Sequence, residues 1–444
     1  MLYPKMKKRT YDDYTVGWVC VLDHELTASR ALLDEEHDPL PPRENDDNNY
    51  ILGRMGKHNV VIVFPGFIGT TSASQTVTNM VRTFRKIRFG LLVGVGGGAP
   101  APPSHDPRKD IHLGDVVVSF PRDGHGGVIQ YDMGKWLEGG QFASKSHLNK
   151  PPLVLVKAIK HLQSDHNFGK GQMWEYMDGV AKSNLPALEG FGFPGQDLDQ
   201  LFKGDYKHVT GEHCSSCAAA QLEQRAIRKS TRPEIHYGLI ASGNAVMKSA
   251  RRRDELRRKE GVSCFEMEAA GLMDNFPCVV IRGICDYSDS HKSEIWQPYS
   301  SVVAAAYAKD LLRIIFPEEV QRTPPAQNRF SQDSPSRERS KGSELAHSTD
   351  SELLTRLAEL EMKNKGLEEA VTCRTNESMG LKQKLAALEQ AYNSQLLPRS
   401  YAYIPSLESP AFGLLSANDI LKIIKTDRDA FTQGVATSKT IPVL

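Results

Sequence analysis

Acidic side chains follow or lie beside several apolar segments of this 444-residue chain. Glu25 comes shortly after the run VGWVCVL, Glu266 and Glu268 belong to FEMEAAG, and Asp286 closes the run VVIRGIC. Positioned carboxylates act as general acids or bases, and they accept hydrogen bonds from hydroxyl groups. These motifs predict a catalytic carboxylate site. The alternative, that Glu266 and Glu268 form a solvated helix face, fits less well with their apolar neighbours.

A glycine run supplies a second candidate ligand site. FGLLVGVGGGAPAPP, residues 89–103, begins as a buried strand, and Gly94, Val95, Gly96 and Gly97 predict a turn where a ligand approaches the backbone. Prolines rather than a helix follow, which excludes a dinucleotide fingerprint. No Gly-Lys-Ser/Thr is present, which excludes a phosphate loop. The alternative is a tight turn without a ligand.

The elements that must position these residues predict an α/β domain over residues 14–318. Its apolar runs do not alternate, so we expect helices on both faces of the sheet. Ligands of such sheets bind beyond the carboxyl ends of the strands, where the glycine turn and Asp286 would converge. Residues 164–234 carry little pattern and predict a helical insertion with loops. The predicted strands are 16–22, 50–55, 59–64, 87–95, 114–120, 236–243 and 278–285, and the predicted helices are 24–37, 70–84, 152–163, 264–276 and 300–316.

The composition changes after Pro317. Residues 319–350 are rich in Ser, Pro, Arg and Gln and predict a disordered linker. Residues 351–395 carry an apolar seam at heptad spacing, interrupted at Asn364, and predict a coiled coil or, alternatively, one amphipathic helix. Residues 396–444 give no assignment. The seam consists of Leu353, Leu357, Leu360, Leu367, Val371, Leu381, Leu385, Leu388 and Tyr392, and Arg374 and Ser378 also interrupt it.

Composition restricts the possible partners and location. The formal net charge of +1 offers no basic field for nucleic acid, and no apolar run is long enough for a membrane span. No apolar stretch follows the first positive charges, so we expect no signal peptide. Seven scattered cysteines fit a reducing cytoplasm better than a disulfide framework.

HVTGEHCSSC carries a spacing typical of metal ligands. Cys214 and Cys217 are three residues apart, and His208 and His213 are near them in sequence, a set that could hold zinc. No second cysteine pair accompanies them. A plain loop is therefore the favoured interpretation, and the predicted site contains no metal.

Five motifs in order resemble one family. GLLVGVGGG, LGDVVVS, GLIASGN, FEMEAAG and VIRGICDYSD are similar to motifs of the nucleoside phosphorylase/nucleosidase superfamily over residues 14–318. The likeness is greatest to the phosphorylase-type domain of multidomain fungal proteins, including NLR-like immune receptors. It implies a central, mixed and partly barrel-like sheet flanked by helices, usually in a homo-oligomer.

The resemblance also implies roles for the acidic motifs. The residue matching Asp286 gives a proton to purine N7 or hydrogen-bonds to it. The residue matching Glu268 binds the ribose 2′ and 3′ hydroxyls, while Met267 packs under the sugar. Glu266 is either a further binding residue or structural, and Ser242 of GLIASGN joins the substrate-binding set.

Hydrolysis is favoured over phosphorolysis. Family phosphorylases carry phosphate-binding side chains where this chain has Leu92 and Val95, and an arginine at the end of the first strand. Here that strand end carries Glu25, which resembles the nucleosidase pattern in which a glutamate orients the attacking water. A carboxylate beside a phosphate dianion would repel it.

The expected ligands are a purine nucleoside or nucleotide and water, with phosphate as the alternative co-substrate and no cofactor. The 5′ substituent is open, and ATP cleavage is one candidate activity. Arg251 to Arg253, Arg108 and Lys109 are candidate contacts for a 5′ phosphate, or else solvated surface. The rival from another class is a non-catalytic module that binds nucleosides or supports assembly.

Overall fold

The computed structural model describes residues 9–101, 106, 109–138, 142–144, 148–211, 214–226, 228 and 230–330. The chain divides at residue 338 into two units, and the second, residues 339–444, lies outside the described residues. The strands are β1 (Val16–Val19), β2 (Glu35–Glu36), β3 (Tyr50–Met55), β4 (His58–Val63), β5 (Phe89–Gly98), β6 (Val116–Ser119), β7 (Val128–Gln130), β8 (Gly134–Trp136), β9 (Phe142–Ser144), β10 (Ile235–Ser242), β11 (Val262–Glu266) and β12 (Cys278–Asp286). The helices are α1 (Asp23–Ala31), α2 (Thr70–Thr83), α3 (Leu153–Asn167), α4 (Met173–Ala181), α5 (Ala250–Glu260), α6 (Gln297–Ile314), α7 (Pro317–Arg322) and α8 (Gln327–Phe330).

The main sheet is mixed and closes partly on itself. Its order is β11-β10-β6-β12-β5-β1-β4-β3-β2, and β11 also pairs with β5. Strands β5, β12, β6, β10 and β11 therefore form a closed ring, from which β1, β4, β3 and β2 extend as an open wing. This arrangement confirms the predicted α/β class with a partly barrel-like sheet.

Helices cover both faces of the sheet. The longest, α6, buries almost its whole length, from Tyr299 to Leu312, against one face. The other face packs on α2 through residues such as Val77 and Met80. Strands covered on both sides must be apolar throughout, as their sequences are. Among the described residues, no helix combines the length and the apolar character that crossing a membrane requires.

The structure corrects three predicted boundaries. The predicted helix 264–276 begins instead as the strand β11, because this segment pairs with both β10 and β5. Strand β5 continues through Gly98, so the predicted glycine turn lies within the strand. The folded domain also extends past residue 318, since Val320 and Ala326 are buried against its core.

The remaining tail predictions lie outside the described residues. They are the linker beyond residue 330, the coiled coil over 351–395 and the unassigned segment 396–444. They stay predictions.

Candidate active site

Strand pairing brings the acidic motifs together. Strands β5 and β12 run parallel, with Gly94 opposite Arg282 and Gly97 opposite Asp286. The end of β11, with Glu266, lies beside β10, and Phe265 on β11 pairs with Gly97 on β5. The pairing of β5 with β12 therefore places the glycine run beside Asp286, as predicted.

A buried arginine holds the glutamates. Arg282, at 1% exposure, directs Nη2 to Glu266 Oε2 at 2.5 Å and to Glu268 Oε2 at 3.0 Å. Its Nη1 lies 3.3 Å from the Val95 carbonyl oxygen and 3.9 Å from Glu25 Oε1. One guanidinium thus faces three carboxylates, so the cluster is negative when all are ionised.

Glu25 is fixed by backbone donors. Its Oε2 accepts hydrogen bonds from the amides of Val21 and Leu22 at 2.7 and 3.0 Å, and its Oε1 accepts one from Val95 at 2.7 Å. These donors include the amides before α1, which a helix N-terminus leaves without intrahelical partners. The carboxylate therefore occupies a small anion site that the protein itself makes.

Burial perturbs the protonation of Glu268. It raises the pKa of the Glu268 carboxyl to about 7. The Arg282 guanidinium opposes this change, whereas the charges of Glu266 and Glu25 add to it. Glu268 Oε1 also accepts a hydrogen bond from the Gly69 amide, just before α2, at 3.2 Å. Near neutral pH this carboxyl can therefore both donate and accept hydrogen bonds.

Asp286 ends β12 and is paired with a lysine. Its Oδ2 accepts from Lys292 Nζ at 2.7 Å, and its Oδ1 accepts from the Ser288 amide at 2.8 Å. Burial by itself lowers the pKa of Lys292, but the Asp286 charge, the hydrogen bond to Asp286 and smaller contributions from Cys285 and Glu294 together outweigh burial, so that pKa lies above its ordinary value. The pair thus keeps a proton supply beside the Asp286 carboxylate.

The glycines of β5 make room for these side chains. A Cβ on Gly94 would come within 2.3 Å of Glu25 Oε1 and 2.6 Å of Arg282 Nη1. A Cβ on Gly97 would meet Asp286 Oδ1 at 2.7 Å and would also contact Ser288. At these two positions the space that a side chain would occupy is filled by charged groups of other residues.

The other predicted site residues have distinct surroundings. Gly96 faces Cys264 of β11, where a Cβ would meet the sulfur at 2.6 Å. Ser242, at the end of β10, is fully buried and its Oγ accepts a hydrogen bond from the Ala270 amide at 2.9 Å. It thereby holds the turn that carries Glu268. Met267 is half-buried between the two glutamates.

Two residues of the site were missed by the sequence reasoning, Arg282 and Lys292. A signal for Arg282 was present, because a charge inside the apolar run VVIRGIC must find a partner when buried. Lys292 stands in an ordinary polar loop and gave no signal.

The candidate 5′-phosphate residues are not equivalent. Arg253 is buried, and its Nη1 donates to the Tyr287 carbonyl oxygen at 2.7 Å and lies 3.5 Å from Asp289. It stabilises the segment after Asp286. Arg251 and Lys109 are exposed. Arg108 lies outside the described residues.

Comparison with known proteins adds a family match and named relatives. Residues 15–306 match the family model described as "Phosphorylase superfamily". A nucleotide-binding leucine-rich repeat (NLR)-like protein of Hyaloscypha variabilis is 46% identical over 315 residues, which are 70% of this chain and 30% of that protein. The chain therefore corresponds to under a third of that relative's length.

Two more distant relatives carry names of enzymes. The 5′-methylthioadenosine/S-adenosylhomocysteine nucleosidase of Mycobacterium bovis is 22% identical over 306 residues, covering 68% of this chain and 96% of that protein. ATP nucleosidase Cap17 of Escherichia coli is 24% identical over 251 residues, covering 55% of this chain and 39% of that protein. Both names denote cleavage of an N-glycosidic bond.

Proposed function

The chain belongs to the phosphorylase superfamily, and we propose that its folded domain hydrolyses the N-glycosidic bond of a purine nucleoside or nucleotide. The observation that carries the proposal is that buried Glu25 and Glu268 both face Arg282, while Asp286 is buried at the end of the same strand, β12. Breaking this bond places positive charge on the sugar ring and negative charge on the departing base. Fixed anions at the sugar and a proton at the base stabilise both.

Asp286 and Lys292 serve the base in this proposal. As the bond between the base and C1′ breaks, its electron pair moves into the purine, and N7 takes a proton through Asp286, which receives that proton from Lys292. Lys292 Nζ lies 2.7 Å from Asp286 Oδ2 and is the source of this proton. Such general acid catalysis accelerates reactions by about a hundred- to ten-thousand-fold.

Glu268 serves the sugar, and Arg282 positions it. A carboxyl whose pKa is raised to about 7 can accept from one ribose hydroxyl and donate to another. Arg282 fixes its orientation together with that of Glu266. The sugar then lies over a cluster with excess negative charge, which suits a cationic transition state.

Glu25 favours water over phosphate as the nucleophile. Three backbone amides that could bind an anion already donate to this carboxylate. Leu92, where a family phosphorylase would carry an arginine, is fully buried in the core. A phosphate dianion would meet three carboxylates and one guanidinium, whereas Glu25 can orient a water molecule and take its proton as the water oxygen bonds to C1′.

The substrate panel follows from the purine assignment. The names of the mycobacterial and Escherichia coli relatives support adenine nucleosides and ATP as first candidates. The purified full chain is incubated with adenosine, 5′-methylthioadenosine, S-adenosylhomocysteine and ATP, with and without inorganic phosphate. Chromatography then measures free adenine and identifies the sugar product.

We expect adenine release that does not require phosphate, with a free sugar product. The Glu25→Gln variant should lose turnover, while Glu255→Gln, at an exposed position on α5, should retain it. Sugar 1-phosphate as the main product would replace hydrolysis by phosphorolysis. Binding of a purine nucleoside without release of base would instead identify a non-catalytic module.

A further inference from the structure

A separate cluster of metal-ligand side chains lies in the insertion between α4 and β10. The ligand atoms of His208, Cys214 and Cys217 all lie within 4.8 Å of one another. Cys214 begins a short 3-10 turn, Cys214–Ser216, and the Cys217 amide donates to the Cys214 carbonyl oxygen at 3.0 Å. This turn brings the two thiols together beside the imidazole. All three residues are half-buried, so an ion could enter from solvent.

We propose that His208, Cys214 and Cys217 bind one zinc ion. Tetrahedral zinc with bonds of about 2.3 Å to sulfur and 2.0 to 2.1 Å to nitrogen places its ligands about 3.6 to 3.8 Å apart. Separations of at most 4.8 Å therefore need only small side-chain rotations to close. Two thiolates with an imidazole suit zinc and exclude the oxygen-seeking cations magnesium and calcium.

A disulfide is the competing use of CSSC. Both cysteines are free thiols in the structure, and a disulfide would join only two of the three clustered groups. A zinc ion uses all three groups and neutralises the two thiolates. Zinc binding therefore explains the clustering of all three side chains, whereas a disulfide explains only that of the two cysteines.

The described residues supply three of the four zinc ligands. His291 is a candidate for the fourth position, with water as the alternative. Its ring is edge-on to that of His208, with centroids 5.6 Å apart, and its side chain is 4% exposed. Neither ring nitrogen of His291 forms a hydrogen bond within the described part of the chain.

The metal would fasten the insertion to the segment that follows Asp286. The His208 amide donates to Ser290 Oγ at 3.0 Å, and the His291 ring stacks on Phe202 at 4.2 Å. The next residue, Lys292, holds Asp286. Zinc would therefore help to keep Lys292 in place, a consequence that rests on the proposed function.

The test measures metal in the reduced full chain. Wild-type protein and the variants Cys214→Ser, Cys217→Ser and His208→Asn are loaded with zinc chloride, dialysed and analysed by mass spectrometry of the metal. Ser216→Ala, between the two cysteines, and His125→Asn, in another turn, are matched controls. Cobalt(II) substitution gives a second readout, because thiolate ligands produce a charge-transfer band.

We expect about one zinc ion per chain in the wild type and both controls, and about a tenfold lower content in each ligand variant. The cobalt thiolate band should disappear in the cysteine variants. Equal metal content in all proteins, or a wild type without zinc after loading, would overturn the proposal. Wild-type protein isolated without reductant gives a further check, because a Cys214–Cys217 disulfide that prevents zinc binding would also overturn it. Zinc content is independent of turnover, so an inactive protein that binds zinc refutes only the proposed function.

Discussion

Replacing Glu268 by Gln should change how the stability of the domain depends on pH. The Glu268 carboxyl is 4% exposed, and burial raises its pKa from 4.5 to about 7, although Arg282 Nη2 lies 3.0 Å away. The charges of Glu266 and Glu25 act in the same direction as burial. Between these two pKa values the folded protein holds a proton that the unfolded chain releases.

The sign and size of the effect follow from proton linkage. Because the folded-state pKa is the higher one, Glu268 stabilises the fold fully below pH 4.5 and loses this contribution as the pH rises through about 7. The difference corresponds to about 3 kcal/mol in the free energy of unfolding. Glutamine has the same shape and does not ionise. The free energy of the variant minus that of the wild type should therefore rise by about 3 kcal/mol between acidic and mildly alkaline pH.

Urea unfolding followed by tryptophan fluorescence measures this difference. The chain has four tryptophans, at 18, 136, 174 and 296, so the signal reports the folded domain within the full protein. Glu255→Gln, at an exposed position, controls for removing a carboxylate elsewhere. A difference that stays constant with pH would refute the reasoning. A difference that falls as pH rises would show that Arg282 keeps Glu268 ionised throughout.

Four further outcomes are expected. Asp286→Asn should lower kcat by about a hundred- to ten-thousand-fold while nucleoside binding persists, since the amide cannot give the proton; a near-normal rate in a kinetic assay would exclude Asp286 as the acid. Lys292→Met should lower kcat more than it changes KM and should shift the pH profile of kcat, and an unchanged profile would remove Lys292 from the proton path. Arg282→Met should destabilise the fold by about 3 to 5 kcal/mol in urea unfolding, because it leaves buried carboxylates unpaired, and should do so less at low pH; a loss that is equal at all pH values would contradict this account. Deleting residues 351–395 should reduce the assembly state in light scattering without abolishing adenine release, and an unchanged number of chains per particle would refute the coiled-coil prediction.

Local sequence pattern and sheet topology agree on the placement of part of the candidate site. Glu25 and Asp286 follow long apolar runs, which become the parallel strands β1 and β12 on either side of β5, so that their carboxyl ends share one edge of the sheet. The FEMEAAG segment was assigned to a helix because its apolar spacing fits one. Its strand pairs with β10 and with β5, and contacts between such distant parts of the chain leave no trace in a local pattern.

Partners of buried charges were harder to predict. A buried arginine inside an apolar strand, such as Arg282, predicts a carboxylate partner. The chain has many carboxylates, however, and the sequence does not indicate which of them lie near Arg282. The choice of Glu266 and Glu268 depends on how β11 closes the ring of strands. The position of Lys292 next to Asp286 depends on the path of the loop after β12. Contacts with Arg253 and with the insertion stabilise that loop.

The glycine run links these charges to the choice of nucleophile. A glycine-rich strand end can leave space for a ligand, yet at Gly94 the space is already taken by Glu25 and Arg282. Only a residue without a Cβ allows the Glu25 carboxylate to reach the Val95 amide while Arg282 stays within 3.9 Å. A phosphate at this place would have to displace a carboxylate that three backbone amides bind. The absence of a side chain at Gly94 therefore supports the proposal of a hydrolase, because it lets the protein fill the expected anion site with its own base.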